Sequence, residues 1–333
     1  MKIAIVGAGS IGGLLGHRLA GTRHEVILVA RGSHLQAIQR RGLTLIEESG
    51  SQETRHIKTL ESLVPDHYDV IILGMKAHQV AAAVPAVAEA ANNGTVIVTA
   101  QNGIPWWYFL RHGGPYEGTL LKSVDPDGTI SASLSQHHII GSVVYPAAEI
   151  AAPGVIKHVE GNRFSIGEID GSDTSGIRAL SDALCEAGFK APILSDVRSE
   201  IWLKLWGNLS LNPISALTHA TLVEICRHPP SRALVTQMMQ EAQAVAEHLG
   251  VRFRVSLQKR IAGAEAVGAH KTSMLQDVEA GRQLELEALV GSVSELGRIA
   301  GIATPAIDAV YAATSLLAQT LSRSSGLLKI QPQ

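Results

Sequence analysis

Cysteine is almost missing: Cys185 and Cys226 are the two in 333 residues. Without paired spacing they suggest neither a disulfide framework nor a thiolate zinc site, and a reducing, cytoplasmic setting is the simpler expectation. Aromatic residues are scarce at 4% and charged residues at 17%, while 46% of the chain is hydrophobic. That balance suits a compact enzyme and excludes disordered or fibrous character. An excess of either charge is lacking too, since 28 Lys and Arg stand against 30 Asp and Glu. No basic field gathers nucleic acid or anionic lipid. No uncharged apolar run is long enough to span a membrane; the Ala-rich stretch from Val80 to Ala91 is short and contains Glu89. The start, Met1-Lys2-Ile3-Ala4-Ile5-Val6, has none of the order of an export signal. The 14 histidines are scattered, and neither His137-His138 nor any other set has ligand spacing on one helix face, so no metal is expected. Serine or cysteine nucleophilic chemistry also lacks its setting.

What is present reads as two domains, which the length accommodates. Up to about residue 100, short apolar strands (Lys2 to Val6, Glu25 to Ala30, Asp69 to Leu73, Thr95 to Thr99) alternate with helical stretches, the pattern of βαβ units and a parallel sheet. Their unbroken apolarity implies burial on both faces. From Gly118 to about Ile169, runs such as Ile139 to Tyr145, Gly154 to Val159 and Arg163 to Ile166 read as hairpins extending that sheet. A helix from about Ser175 to Ala187 and a short strand near Pro192 to Leu194 follow. After Asp196 the pattern is helical: Ser199 to Leu211, Ser231 to Leu249, Val255 to about Ala266, Met274 to Ala300 and Pro305 to Ser322, with a frayed tail beyond. The expected organisation is therefore a Rossmann-type α/β domain over residues 1–196 and an all-α domain over 197–333. Ser273 is expected to cap its helix in a capping box with Gln276, and Thr304 to cap the helix opened by Pro305.

The motif Gly7-Ala8-Gly9-Ser10-Ile11-Gly12 sits between the first strand and the helix that begins near Ile11. Gly7 allows the tight turn, Gly9 lets backbone approach a pyrophosphate, and Gly12 permits close packing of helix on strand, with the helix N-terminus facing the phosphates. A turn without a ligand is the plain alternative. At the end of the second strand, where NAD enzymes carry an acid, stands Ala30-Arg31. An arginine fork fits a ribose 2′-phosphate, so NADP(H) is expected over NAD(H); the bland reading is a solvated loop arginine. Lys76 and Gln101-Asn102-Gly103 follow further strands, at the ends where open α/β sheets bind ligands. Lys76 suits an adenosine-side group and Asn102 the nicotinamide or substrate, although lysines are usually solvated and Asn-Gly is a common turn. In Lys204-Leu-Trp-Gly-Asn208-Leu-Ser-Leu-Asn212-Pro213, steps of four put Lys204, Asn208 and Asn212 on one helical face while Trp202, Leu205, Trp206 and Leu209 cover the others. A lysine beside a carbonyl is an electrophile and proton donor, and amides hold carboxylates or hydroxyls; equally, such a face meets water or buried backbone. Pro213 should kink or end the helix near Asn212.

Taken in order, Gly7 to Gly12, Ala30-Arg31, Lys76, Gln101-Asn102-Gly103, Lys204 with Asn208 and Asn212, and Ser273-Met-Leu-Gln-Asp277 with Glu285 resemble the ketopantoate reductase (2-dehydropantoate 2-reductase) family over almost the whole length. The resemblance implies an N-terminal Rossmann domain, a helical C-terminal domain like that of 6-phosphogluconate dehydrogenase, and a cleft between them. It implies that NADPH delivers hydride to the ketone carbon of a small-molecule 2-oxo acid, in pantothenate synthesis. The lysine matching Lys204 would protonate the nascent alkoxide, Asn208, Asn212 and Ser273 would bind substrate, Asn102 would lie between cofactor and substrate, and Glu285 would contact the cofactor side and help to place the lysine. Departures bear on the substrate: the aromatic run Trp106-Trp107-Tyr108-Phe109, Leu284-Glu285-Leu286-Glu287 in place of a Thr-Glu-Ile-Asp context, and no asparagine in Thr218 to Thr221. The aromatics either pack a domain interface or line a pocket for a bulkier oxo acid. A paralogue acting on another 2-oxo acid, another two-domain NADP-dependent dehydrogenase and a silent NADP sensor are the competing readings. A homodimer is the default assembly on general grounds alone.

Overall fold

The computed structural model describes residues 1–324. They divide into two compact units, Met1–Leu120 with Asp125–Val197, and Leu121–Val124 with the chain from Arg198 onward.

The first unit begins β1 (Lys2–Val6), α1 (Ser10–Leu19), β2 (Glu25–Val29), α2 (Gly32–Arg41), β3 (Leu43–Ile46), β4 (Gln52–Arg55), β5 (Lys58–Leu60) and β6 (Val70–Leu73). It continues with α3 (Val80–Ala90), β7 (Val96–Thr99), α4 (Thr129–Leu134), β8 (His138–Val144), β9 (Ala147–Ala152), β10 (Val155–Glu160), β11 (Phe164–Glu168) and α5 (Ser175–Glu186). The described strands of the main sheet run in the order β11-β8-β7-β6-β1-β2-β5. All pair in parallel except β11, which is antiparallel to β8. From β5 to β8 this is the doubly wound order, with its reversal between β1 and β6, where such sheets open a crevice for ligand. The central strands are buried at every position and apolar except for Thr99, as in Val70–Leu73 and Val96–Thr99, because helices cover both faces.

The hairpin reading of the middle segment holds in part. Strands β8 and β11 extend the main sheet, but β9 and β10 join β3 and β4 in a separate sheet ordered β4-β3-β10-β9. The strand expected near Pro192 to Leu194 reduces to an isolated bridge between Ile166 and Ile193.

The second unit carries α6 (Val197–Thr218, of which Val197 belongs to the first unit), α7 (Leu222–Arg227), α8 (Pro229–His248), α9 (Leu257–Ala266), α10 (Ser273–Glu279), α11 (Ser292–Ala300) and α12 (Pro305–Arg323). Among the described residues none of its helices, nor any other, is long and apolar enough to cross a membrane. Helix α8 packs against α7, α9, α11 and α12.

Four expectations need correction here. Helix α6 does not end near Asn212 but runs through Pro213 to Thr218; Leu211, Ile214 and Ala216 are buried on both sides of the proline, and that packing outweighs one missing amide hydrogen bond. The long helix from Met274 to Ala300 is interrupted. Gly281 takes φ +62°, its amide donates to Val278 O and that of Arg282 to Asp277 O, which is the glycine-ended Schellman stop. After a coil, a π-helical turn over Glu287–Gly291 leads into α11. The cap of α10 is Thr272, whose Oγ1 accepts from Leu275 N at 3.2 Å, and Ser273 is the first helical residue. Thr304 does precede α12, but its hydroxyl donates to Asp308, and Glu241 on α8 accepts from the amides of Ala306 and Ile307 instead. Helix α12 reaches Arg323; the tail expected to fray beyond it lies, from residue 325, outside the described residues.

Candidate functional site

In the first unit, parallel pairing puts the carboxyl ends of β7, β6, β1 and β2 side by side along one sheet edge. The loops leaving them carry, in that order, Asn102, Lys76, the glycine motif and Arg31. Gly7 turns the chain at φ +100°, a conformation costly for any residue with a Cβ. A Cβ on Gly12 would lie 1.9 Å from Gly7 O, so the turn is pressed onto the start of α1. A Cβ on Gly9, by contrast, would meet nothing within 4 Å. Space therefore opens over the backbone at Gly9, beside a helix N-terminus with no acid in its first turn and no side-chain cap. Ala8 is buried, while Ser10 and Ile11 are half-buried. Unpaired first-turn amides next to open space form a cradle for an anion, and a nucleotide pyrophosphate fits it.

Arg31 is exposed, on extended backbone immediately before α2. Lys76 and Asn102 are half-buried. The Gln101 side chain donates to Leu73 O at 2.6 Å and to Met75 O at 3.1 Å, which ties the loop bearing Asn102 to the loop bearing Lys76. The aromatic run after Gly103 is core. Trp106, Trp107, Tyr108 and Phe109 are all buried, Trp107 Nε1 donates to Thr99 Oγ1 at 2.9 Å, and a Cβ on Gly141 would lie 2.7 Å from the Trp107 ring. Trp107 thus packs within its own unit, against β7 and β8.

In the second unit, α6 presents Lys204, Asn208 and Asn212 at four-residue steps. Its rotation is fixed by burial of Trp202, Leu205, Trp206 and Leu209 and by Trp206 Nε1, which donates to Met239 O on α8 at 2.6 Å. Asn212 Nδ2 donates to Ser273 Oγ at 3.4 Å, joining α6 to the first residue of α10. Lys204 keeps some exposed surface, yet its ammonium lies deep. Burial pushes its pKa down to about 8, the Arg260 guanidinium adds to that effect, and the Glu285 carboxylate opposes it. Glu285 stands two residues before the π-helical turn. Lys204, Glu285, Asn212 and Ser273 are thus gathered in one unit, with Asn208 on the same helical face, whereas Arg31, Lys76, Asn102 and the glycine motif belong to the other.

Arg260, on α9, was not singled out from the sequence. A Cβ on Gly207 would lie 2.3 Å from Arg260 Nη2 and 2.9 Å from Cζ, so the guanidinium rests on the α6 backbone at Gly207, one turn from Lys204. Its local signal was a glycine inside an otherwise well-formed helix, which usually has a packing reason.

Known proteins resemble this chain along almost its whole length. Residues 3–171 match the family model described as ketopantoate reductase PanE/ApbA, and residues 196–318 match the model for its C-terminal part. A 2-dehydropantoate 2-reductase of Mesorhizobium japonicum is 51% identical over 96% of this chain and 98% of its own length. The crystal structure of a ketopantoate reductase candidate from Ralstonia solanacearum superposes with a TM-score of 0.91 at 37% identity, covering 96% of this chain and 98% of that one. The 2-dehydropantoate 2-reductase of Methylococcus capsulatus superposes with a TM-score of 0.82 at 26% identity, over 97% and 98%.

Proposed function

From the membership of this chain in the ketopantoate reductase family, a family of oxidoreductases, we propose that it reduces 2-dehydropantoate to pantoate with NADPH, in the cytoplasmic synthesis of pantothenate and coenzyme A. In this reading residues 1–196 hold the nucleotide and residues 197–333 hold the 2-oxo acid. The loop Gly7, Ala8, Gly9, Ser10, Ile11 and Gly12 cradles the pyrophosphate, with the first-turn amides of α1 donating to it while those of Gly7 and Ala8 hold the turn by donating to Val29 O; Arg31 takes the ribose 2′-phosphate, and Lys76 faces the adenosine side. When bound, the reduced nicotinamide supplies the hydride that adds to the ketone carbon.

The observation that carries the reading is the buried, acid-opposed ammonium of Lys204. It donates a hydrogen bond to the ketone oxygen and stabilises the negative charge that grows there as the carbon is reduced. It then gives that oxygen a proton, completing the hydroxyl. A pKa of about 8 suits both tasks: at pH 7 about nine in ten lysines are charged, and the proton is less tightly held than on a solvated lysine. Glu285 favours the charged form and orients it from the cofactor side. Asn208, Asn212 and Ser273 bind the substrate, and the Asn102 amide lies between substrate and nicotinamide.

The test is oxidation of NADPH, followed by absorbance, against a panel of 2-oxo acids that includes 2-dehydropantoate. Preference for 2-dehydropantoate supports the assignment; preference for another 2-oxo acid assigns a paralogue; no turnover of any refutes the reading. Lys204→Ala should abolish turnover while NADPH still binds by fluorescence titration, and retained turnover would remove Lys204 from the mechanism.

A further inference from the structure

We propose that Arg260 receives the carboxylate of the 2-oxo acid and so sets the enzyme's selectivity for acids over neutral ketones, a role that rests on the functional reading above. The geometry begins at Gly207. Glycine inside a helix is a destabilising choice, and here the missing side chain gives the Arg260 guanidinium a seat on the α6 backbone, with Nη2, Cζ and Nε at 2.3, 2.9 and 3.3 Å from where a Cβ would stand. Gly207 lies three residues and so one turn from Lys204, flanking the polar stripe on the side away from Asn208 and Asn212, so the seat adjoins Lys204. The helix that supplies Arg260 is itself anchored. Its cap Ser256 accepts from Lys259 N at 3.3 Å, and Ile261, the next residue, is buried.

Charge points the same way. The groups that act on Lys204 are one carboxylate, Glu285, and one guanidinium, Arg260. With Lys204 charged, its buried ammonium has a guanidinium beside it, and two neighbouring cations favour a bound anion. A 2-oxo acid has its carboxylate carbon bonded directly to its ketone carbon, so the group that takes the carboxylate must adjoin the group that protonates the ketone oxygen. Arg260 adjoins Lys204 in this sense. Its planar fork matches two carboxylate oxygens, a pairing that a lysine makes only as a point charge. Lys204 is then left to the ketone oxygen, and Asn208, Asn212 and Ser273 to the remainder of the molecule.

The experiment compares wild type, Arg260→Ala and Arg260→Lys with NADPH and two substrates: 2-dehydropantoate and its lactone, the neutral cyclic ester that keeps the ketone. Thermal melting of each variant verifies folding. Arg260→Ala should raise KM for the acid on the order of 100-fold, the scale of a charge-assisted hydrogen-bonded pair, with kcat changed far less. Activity on the lactone should stay within about twofold, so the preference for acid collapses, and added guanidinium should restore part of it. Arg260→Lys should fall between. Equal losses on acid and lactone, or no loss on either, would overturn the assignment. If the wild type reduces no 2-oxo acid at all, the functional reading fails separately. Calorimetric titration of pantoate into wild type and Arg260→Ala then decides the arginine's role: weaker binding to the variant upholds it and equal binding ends it.

Discussion

Replacing Glu285 by Gln removes the carboxylate that opposes desolvation at Lys204 and leaves burial and Arg260, both of which lower the lysine's pKa. An opposite charge at close range shifts a pKa by about one unit or more, so the variant's lysine should titrate near 7 instead of 8. The sign follows from chemistry. Lys204 acts as an acid, so turnover is supported by the protonated form and declines as pH rises through the lysine's pKa. At pH 7.5 the protonated fraction is about three-quarters for a pKa of 8 and about one-quarter for a pKa of 7, so protonation alone accounts for a roughly threefold loss of kcat. The same calculation predicts that the loss nearly vanishes by pH 6. The assay is kcat measured from pH 5.5 to 9.5 at saturating NADPH and 2-oxo acid, each profile normalised to its own acidic plateau. This separates the titration from any general misplacement of the lysine, which lowers the plateau without moving the limb. An alkaline limb that stays in place, or moves upward, would refute the electrostatic account of Glu285.

Two further tests address the first unit. Arg31→Ala should raise KM for NADPH on the order of 10- to 100-fold and leave KM for NADH nearly unchanged, since the arginine's proposed partner is the 2′-phosphate that NADH lacks; equal Michaelis constants for the two nucleotides in the wild type would already exclude that role. His138 Nε2 lies 2.7 Å from Glu168 Oε2, a buried carboxylate that also accepts from Thr174, and the bond to Glu168 raises the histidine's pKa against the opposing effect of burial. A raised folded-state pKa contributes stability that is complete below the unfolded value of about 6.5 and is lost as pH rises through the folded value. The melting-temperature gap between wild type and Glu168→Gln should therefore be widest at pH 6 and narrow above neutrality, and a gap independent of pH would show that the pair contributes only as neutral hydrogen bonds.

How far the fold can be read from the sequence depends on where each element buries itself. Strands β1, β2, β6 and β7 were legible because helices cover both their faces, which forces unbroken apolar runs. The short strands β3, β4 and β5 were not. Gln52–Arg55 is polar and mostly exposed, and nothing local distinguishes it from a loop until β3 is beside it. The same limit sent β10 to the wrong sheet: it reads as a strand alone, but its pairing with β3 reaches across more than a hundred residues, with Val155 opposite Thr44. The break between α10 and α11 was legible in principle, since Gly281 marks a helix stop, but the apolar spacing through Leu284, Leu286, Leu289 and Val290 resumes after it and masked the gap. At Pro213 the error ran the other way, because a local rule about amide loss was given more weight than the burial of three neighbouring apolar residues.

The site divides along the same line. Lys204, Asn208 and Asn212 stand out by spacing as one polar stripe, because one helix orders all three, but spacing alone gave a face meeting water or buried backbone equal standing, and the family resemblance is what singled them out. Arg260 does not stand out, since Lys259-Arg260 reads as an ordinary solvated pair and Gly207 reads as a neutral small residue; each acquires meaning only from the other, 53 positions away. The absent side chain at 207 and the cation at 260 belong together: any larger residue at 207 would displace the guanidinium from its seat. The guanidinium beside the buried ammonium repels it and lowers its pKa. An anion that enters relieves that repulsion as well as forming its own hydrogen bonds. The selectivity proposed for Arg260 is thus a consequence of keeping Lys204 and Arg260 adjacent with Glu285 as the carboxylate acting on the lysine.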